Sequence, residues 1–150
     1  MSIPAGTRFI GILPGVDMTE RKSTQANSPS NVYTIEDIQE LVNTPSVQSV
    51  ASSATVTPTA NDDLVVITAQ AAALTLAAPT GTPVEGQALM IRIKDDGTAR
   101  GITWTSGAGG YRAIGVTLPT TTVISKTTYV GLIYNSTDSR WDAIGVTTEA

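Results

Sequence analysis

Alternation of hydrophobic and polar positions in residues 86–104 predicts a β-hairpin. Leu89, Ile91 and Ile93 share one phase in a first run, and Ile102 and Trp104 share a phase in a second run. A period of two places such side chains on one face of a strand, with the mostly polar intervening positions on the other face. Between the two runs lies Asp95-Asp96-Gly97, and both residue types are favoured in tight turns.

Short runs of the same kind recur through the C-terminal two-thirds of the chain, separated by turn-forming residues. They cover residues 54–57, 64–68, 74–77, 111–116, 121–125, 129–135 and 141–146. We therefore expect about eight or nine short strands, a density typical of a mainly β, antiparallel β-sandwich of jelly-roll-like type. Residues 135–139 should close a hairpin between the last two strands. An up-and-down barrel is the less favoured alternative, since loops such as 106–110 suit connections between sheets.

The apolar positions of these runs define an expected core. They are Val66, Leu74, Leu76, Leu89, Ile91, Ile93, Ile102, Trp104, Ile114, Val123, Leu132, Tyr134, Trp141 and Ile144. A slip of one residue turns every side chain of a strand to its other face. The core prediction therefore depends on each strand keeping its alternation throughout.

The first 50 residues differ in pattern from the rest and predict an extended arm. Residues 17–31 are polar and show no hydrophobic period, so they cannot bury enough apolar surface to offset the entropy of ordering. Residues 9–13 are too apolar to leave in water, and such a segment can add to a partner's sheet edge. The candidate anchoring residues are Arg8, Phe9, Ile10, Ile12, Leu13, Met18, Arg21 and Lys22. A disordered tail is the alternative.

Residues 34–42 predict a short helix within this arm. Thr34 is an N-cap candidate, acidic residues follow in the first turn, and Pro45 prevents continuation. The apolar stripe of the helix consists of Ile35, Ile38, Leu41 and Val42. A helix this short is marginal alone, so we expect it to pack on the body or on copies of itself. The predicted domains are an arm at 1–50 and a β-domain at 51–150.

Composition limits the classes of function. Of the 150 residues, 15% are charged, the formal net charge is −4, and there is neither Cys nor His. A surface this poor in charge favours assembly with other protein, and a negative chain is a poor nucleic-acid binder. Without His and Cys, the commonest general base, thiolate nucleophile and metal ligands are missing.

No segment predicts membrane insertion or secretion. The chain has no apolar run approaching the roughly 20 residues that cross a bilayer. Its first residues lack the basic and apolar blocks of a signal peptide. We expect a soluble protein made in a cytoplasm.

The adjacent carboxylates are interpreted as turn formers. Asp95-Asp96 and Asp62-Asp63 both lie in predicted turns, where Asp bonds its own backbone. A Ca²⁺ site combining Asp62 and Asp63 with Asp138 and Asp142 lacks the spacing of a known calcium loop. The glycine-rich loop 107–110 lacks the following helix and lysine of a phosphate-binding loop. We expect no catalytic residue, no cofactor and no metal.

Three aromatic residues are candidates for glycan binding, namely Trp104, Tyr111 and Trp141. Sugars stack on exposed aromatic faces beside polar acceptors, and Asn135 and Asp142 lie near Trp141 in sequence. The alternative, which we favour, places the aromatic rings in the core.

The C-terminal two-thirds of the chain resembles a small β-domain that recurs at the C-termini of tailed-bacteriophage virion proteins. The phrases that carry the resemblance are residues 74–83, 86–100, 102–104, 111–119 and 127–135, with Trp141-Asp142. Residues 20–27 and 33–38 are similar to the short virion-attachment arms that precede such domains, a weaker match.

The resemblance implies a non-enzymatic structural protein of the virion, made in the host cytoplasm and usually a homotrimer. It would be a capsid decoration (cement) protein, a head fibre or a tail-fibre tip, and its partner would be the major capsid protein or another virion protein. The lack of a long shaft favours a compact decoration protein. The alternative is a receptor- or glycan-binding module of a tail fibre that recognises a host surface glycan. No nucleic-acid or membrane partner is expected, and a hydrolase is disfavoured.

Overall fold

The computed structural model describes residues 44–150, and this part of the chain is mainly β. Residues Pro45–Ala150 form one compact unit. Its strands are β1 (Val47–Val50), β2 (Thr55–Val56), β3 (Leu64–Gln70), β4 (Leu74–Leu76), β5 (Ala88–Asp95), β6 (Ile102–Trp104), β7 (Tyr111–Ala113), β8 (Thr127–Asn135) and β9 (Arg140–Thr148). No helix occurs among residues 44–150, and the helix predicted at 34–42 lies outside them.

The strands form two sheets. One has six strands in the order β1-β3-β5-β8-β9-β7, and the other has three in the order β2-β4-β6. The first six strands alternate strictly between the sheets, so each sheet receives every second strand. We call β1–β6 the parallel coil, since each strand pairs in parallel with the one two places later.

The fully antiparallel pairing expected of a jelly-roll-like sandwich is wrong. Within residues 44–150 only β5–β8 and β8–β9 pair antiparallel, and β7–β9 is a further parallel pair. The physical reason is that antiparallel neighbours arise from tight hairpins, whereas parallel neighbours need a long crossover. In the coil, a strand of the other sheet serves as that crossover.

The coil stacks chemically similar residues in register. On the six-stranded sheet Val50, Ile67 and Ile93 are aligned neighbours. On the three-stranded sheet Thr55, Thr75 and Thr103 form another aligned row.

The hairpin predicted for residues 86–104 is also wrong. Its first half becomes β5 in the six-stranded sheet and its second half becomes β6 in the three-stranded sheet. Asp95-Asp96-Gly97 therefore begins the connection from one sheet to the other. The hairpin predicted at residues 135–139 is confirmed, with Asn135 opposite Arg140 in the β8–β9 pair.

Two strand predictions differ from the structure. Residues 47–50 belong to the arm by the predicted domain boundary, although the sequence also allows an edge strand within residues 44–59, and they form β1 at one end of the six-stranded sheet. Residues 121–125, predicted as a strand, make only an isolated bridge between Thr121 and Gly101.

A single cluster of buried side chains draws on both sheets. It comprises Val56, Val65, Ile67, Leu74, Leu76, Leu89, Ile91, Ile93, Ile102, Tyr111, Val130, Leu132, Tyr134, Trp141 and Ala143. Most of the predicted core is confirmed, and Trp104 packs half-buried at the edge of the cluster.

Three predicted core residues are wrong, since Ile114, Val123 and Ile144 are about half exposed. Ile114 follows the end of β7, and Val123 lies outside any strand. Ile144 occupies a β-bulge, because Gly131 pairs with Gly145 while Leu132 pairs with Ala143. A bulge adds one unpaired residue and interrupts the alternation from which a face is predicted.

The passages from one sheet to the other are held by buried polar side chains. Gln70 and Asp95 are register partners at the ends of β3 and β5, and both are buried. The Gln70 amide donates to the carbonyl oxygens of Ser53 (2.8 Å) and Ala72 (2.7 Å). One amide thus fixes two successive turns of the coil, as full hydrogen bonding of a buried polar group requires.

Candidate functional site

The structure places Trp141 in the interior. Its side chain is 0% exposed, and its ring centroid lies 5.3 Å from that of Tyr134. A sugar needs an open ring face for stacking, and this residue offers none. The core interpretation is confirmed for Trp141.

Tyr111 is likewise interior, with 2% of its surface exposed. Its hydroxyl donates to the Ala77 carbonyl oxygen at 3.0 Å, and burial raises its pKa above the ordinary value. The ring of Trp104 meets Tyr111 edge-on with centroids 5.1 Å apart, while the Trp104 indole donates to the Pro119 carbonyl oxygen at 2.8 Å. These aromatics serve packing, and only half-buried Trp104 reaches the surface.

The four aspartates considered for Ca²⁺ do not converge on one site. Asp62 accepts from the Thr59 amide at 2.6 Å, and Asp63 accepts from the Ser46 amide at 2.7 Å. Asp138 and Asp142 both contact Arg112. Across residues 44–150, no group of three or more acidic side chains is placed to hold a metal ion.

Arg112 organises a charged network on β7 and β9 that sequence reasoning missed. Its guanidinium donates twice to the Asp142 carboxylate, at 2.8 and 2.9 Å, and lies 2.9 Å from Asp138. The hydrogen bond from Arg112 is the main cause that lowers the pKa of Asp142, with a smaller contribution from Asn135. The network stabilises the β8–β9 turn. In the sequence it consists only of one Arg and a distant Asp, and the pairing becomes apparent only from the strand register Arg112↔Asp142.

An open cavity of about 240 Å³ lies on the six-stranded sheet, across β3, β5 and β8. Its lining includes Val66, Thr68, Arg92, Lys94, Thr127 and Tyr129. Arg92 is aligned with Val66 on one side and Tyr129 on the other. Sequence reasoning treated these positions only as the solvent face of the opening strand.

The two cations of this cavity differ in their partners. Lys94 donates to the Ser125 carbonyl oxygen at 2.8 Å and contacts the Glu149 carboxylate at 3.2 Å. The Arg92 side chain forms neither a hydrogen bond nor an ion pair with any residue in the described part of the chain. Among residues 44–150, the cavity therefore contains one paired and one unpaired positive charge.

The same sheet exposes large aliphatic side chains. Val47 is 50% and Met90 is 40% exposed, and the register Val47↔Leu64↔Met90↔Gly131 places them in one row across four strands. Gly131 leaves space at this row, where an added Cβ would lie 3.8 Å from the Met90 methyl carbon. We call these residues the aliphatic row.

The predicted arm and helix lie outside the described residues. This applies to the anchoring candidates Arg8, Phe9, Ile10, Ile12, Leu13, Met18, Arg21 and Lys22, and to the helix stripe Ile35, Ile38, Leu41 and Val42. Their roles stay predictions.

Comparison of the chain with protein-family models, curated proteins and solved structures gives no significant match. The family resemblance seen in the sequence therefore enters below as a proposal. Within residues 44–150, no helix has the length and apolarity to cross a membrane.

Proposed function

We propose that the chain is a structural protein of a bacteriophage virion, namely a trimeric capsid decoration (cement or head fibre) protein. The observation that carries the proposal is the aliphatic row on the six-stranded sheet, with Val47 and Met90 half in solvent. Burying apolar surface contributes about 25 cal/mol per Å². The contact with a neighbouring subunit would therefore be stabilised if that subunit covered this row. Contiguous exposed apolar surface marks protein–protein interaction sites, and the register aligns the positions of this row across four strands.

The body would be a β-sandwich in which the two sheets pack face to face. Support comes from the single core cluster, to which both sheets contribute buried side chains. Inner faces that share one core are the defining feature of a sandwich.

The arm at residues 1–50 would anchor this body to the major capsid protein, with the 34–42 helices meeting near a threefold axis. The sequence pattern of the arm supports this arrangement, since its polar part lacks a core of its own. Trimerisation would bring three arms to one site and raise the effective concentration of each.

The test is deletion of residues 1–31 from the full chain. The shortened protein should remain folded and trimeric by circular dichroism and light scattering, yet fail to coat particles assembled without the protein. Sedimentation with particles measures the coating. A shortened protein that still coats the particles would disprove anchoring by the arm.

A matched variant separates the arm from the body. Met90→Lys places a charge in the aliphatic row and leaves the arm intact. It should weaken trimerisation while monomers keep their fold. An unchanged trimer would show that the row is not part of a subunit interface.

The alternative function is a receptor- or glycan-binding module. Its support comes from the cavity at Arg92 and not from the aromatic residues that suggested it. Trp141 and Tyr111 are closed to solvent, whereas the cavity at Arg92 is open.

A further inference from the structure

The cavity beside Arg92 has the composition of a binding site for a small anion. Its lining combines two cationic side chains, two threonines and a tyrosine around the buried aliphatic Val66. Arg92 and Lys94 are two positions apart on β5 and therefore share one face of the strand. Glu149 already balances the charge of Lys94, so Arg92 is the cation of the cavity that would attract a negatively charged ligand.

Glu149 shows what kind of group fits one end of this surface. Its carboxylate accepts the Thr127 amide at 2.8 Å and contacts Lys94 at 3.2 Å. The Arg92 end has no such partner among the described residues. A guanidinium matches the two oxygens of a carboxylate with two parallel hydrogen bonds, so the unfilled position is suited to a second carboxylate.

The size and lining restrict the ligand further. The cavity is open to solvent and its volume of about 240 Å³ is below the range of about 300–1,000 Å³ of drug-sized pockets, which favours a ligand of one small ring. Tyr129 contributes an aromatic side chain, which can pack against a sugar ring, and the threonine hydroxyls can bond to sugar hydroxyls.

We infer that the cavity formed by Thr68, Arg92, Lys94, Thr127 and Tyr129 binds a carboxylate-bearing sugar residue, with Arg92 holding the carboxylate. The site is distinct from Trp104, Tyr111 and Trp141. It does not depend on the decoration role, because a coat subunit and a fibre tip could both carry it.

The experiment titrates the ¹⁵N-labelled full chain with glucuronate and follows amide shifts by NMR. Saturable shifts should appear at Arg92 and Tyr129, and glucose, which lacks the carboxylate, should bind at least tenfold more weakly. Acetate and sulfate test the charge without the ring. If acetate or sulfate binds as tightly as glucuronate at the same residues, the site holds an adventitious ion only and the inference is overturned.

Substitutions test which residues of the cavity contribute to binding. Arg92→Gln should raise the dissociation constant for glucuronate about tenfold or more, as expected for a charged hydrogen-bonded pair, and Tyr129→Leu should weaken it through loss of the ring. Arg140→Gln is the matched control, because the Arg140 side chain also lacks a hydrogen bond or ion pair with the described residues but does not line the cavity. The unfolding midpoint of each variant confirms its fold.

Two further results would overturn the inference. One is an equal loss of affinity in Arg92→Gln and Arg140→Gln, which would indicate a general charge effect. The other is an absence of saturable shifts at the cavity with wild-type protein. Neither result depends on trimerisation or particle coating, so the decoration role stands or falls separately.

Discussion

Asp95 shows how a single side chain directs the chain from one sheet to the other. Its carboxylate accepts from the Gly97 amide (2.7 Å), the Ser125 amide (2.9 Å) and the Thr122 hydroxyl. Burial alone would raise the pKa of Asp95, but these hydrogen bonds outweigh it and the pKa lies below the ordinary value. The ionised carboxylate therefore stabilises the passage between β5 and β6.

We expect Asp95→Asn to lower the free energy of unfolding at pH 7 by about 1.5–3 kcal/mol, the usual value of hydrogen bonds to a charged group. The stabilisation has a predictable pH dependence. Because the folded-state pKa is lowered, the stabilisation is present above the unfolded value of about 3.9 and is lost as the pH falls through the folded value. Urea unfolding at pH 7 and pH 3 should show the variant and the wild type converging at the lower pH.

Asp96→Asn is the matched control for this prediction. Asp96 is the exposed neighbour and accepts only from the Thr98 amide at 3.2 Å, besides an ion pair with Arg100. Its replacement should change stability much less. Equal effects of the two substitutions would contradict the role assigned to Asp95.

Trp141 carries the second prediction at this scale. Because its side chain is fully buried, Trp141→Ala should leave a cavity and cost about 3–5 kcal/mol. Trp104→Ala should cost clearly less, since Trp104 is only half-buried. Urea unfolding followed by circular dichroism measures both. A mild effect of Trp141→Ala would contradict its place in the core.

At the scale of elements, the bulge in the β8–β9 pair decides which aliphatic side chains are buried. Ile144 is the extra residue of β9 opposite Gly131 and Leu132 of β8, and it is 54% exposed. Ile93, at a regular position of β5, is fully buried. The same residue type thus has opposite environments in adjoining parts of one sheet.

One substitution at both positions tests this difference. Ile93→Thr should cost about 2–4 kcal/mol, because it removes buried apolar volume and buries a hydroxyl. Ile144→Thr should stay within about 0.5 kcal/mol, as surface substitutions usually do. Thermal or urea unfolding compares the pair, and a larger loss at Ile144 would show that the bulge position is buried in solution.

For the molecule as a whole, the described strands pair with one another and share one core. We therefore expect residues 44–150 to fold independently. The isolated segment should show β-type circular dichroism and one cooperative urea transition, with a midpoint near that of the full chain. A gradual transition would show that residues 1–43 contribute to the stability of the β-body.

Much of the element pattern could be predicted, because local alternation reports which side chains of a strand share a face. Leu89, Ile91 and Ile93 are buried as expected, and the β8–β9 hairpin has its turn where polar residues cluster. The predicted glycan candidates could not be separated from core aromatics, since Trp141 looks the same in sequence whether its ring is open or covered. The cavity at Arg92 was missed because its lining comes from three strands distant in sequence.

The sequence by itself determined that this chain forms short strands and, for most of these strands, which side chains are buried. It also determined that neither His nor Cys contributes chemistry. The tertiary structure alone decided how those strands are paired. Asp95-Asp96-Gly97 is compatible with a hairpin and with a passage between sheets, because a turn motif reverses or redirects the chain without specifying its partner. The outcome depends on long-range contacts, such as those of Asp95 with Thr122 and Ser125, which no local pattern contains.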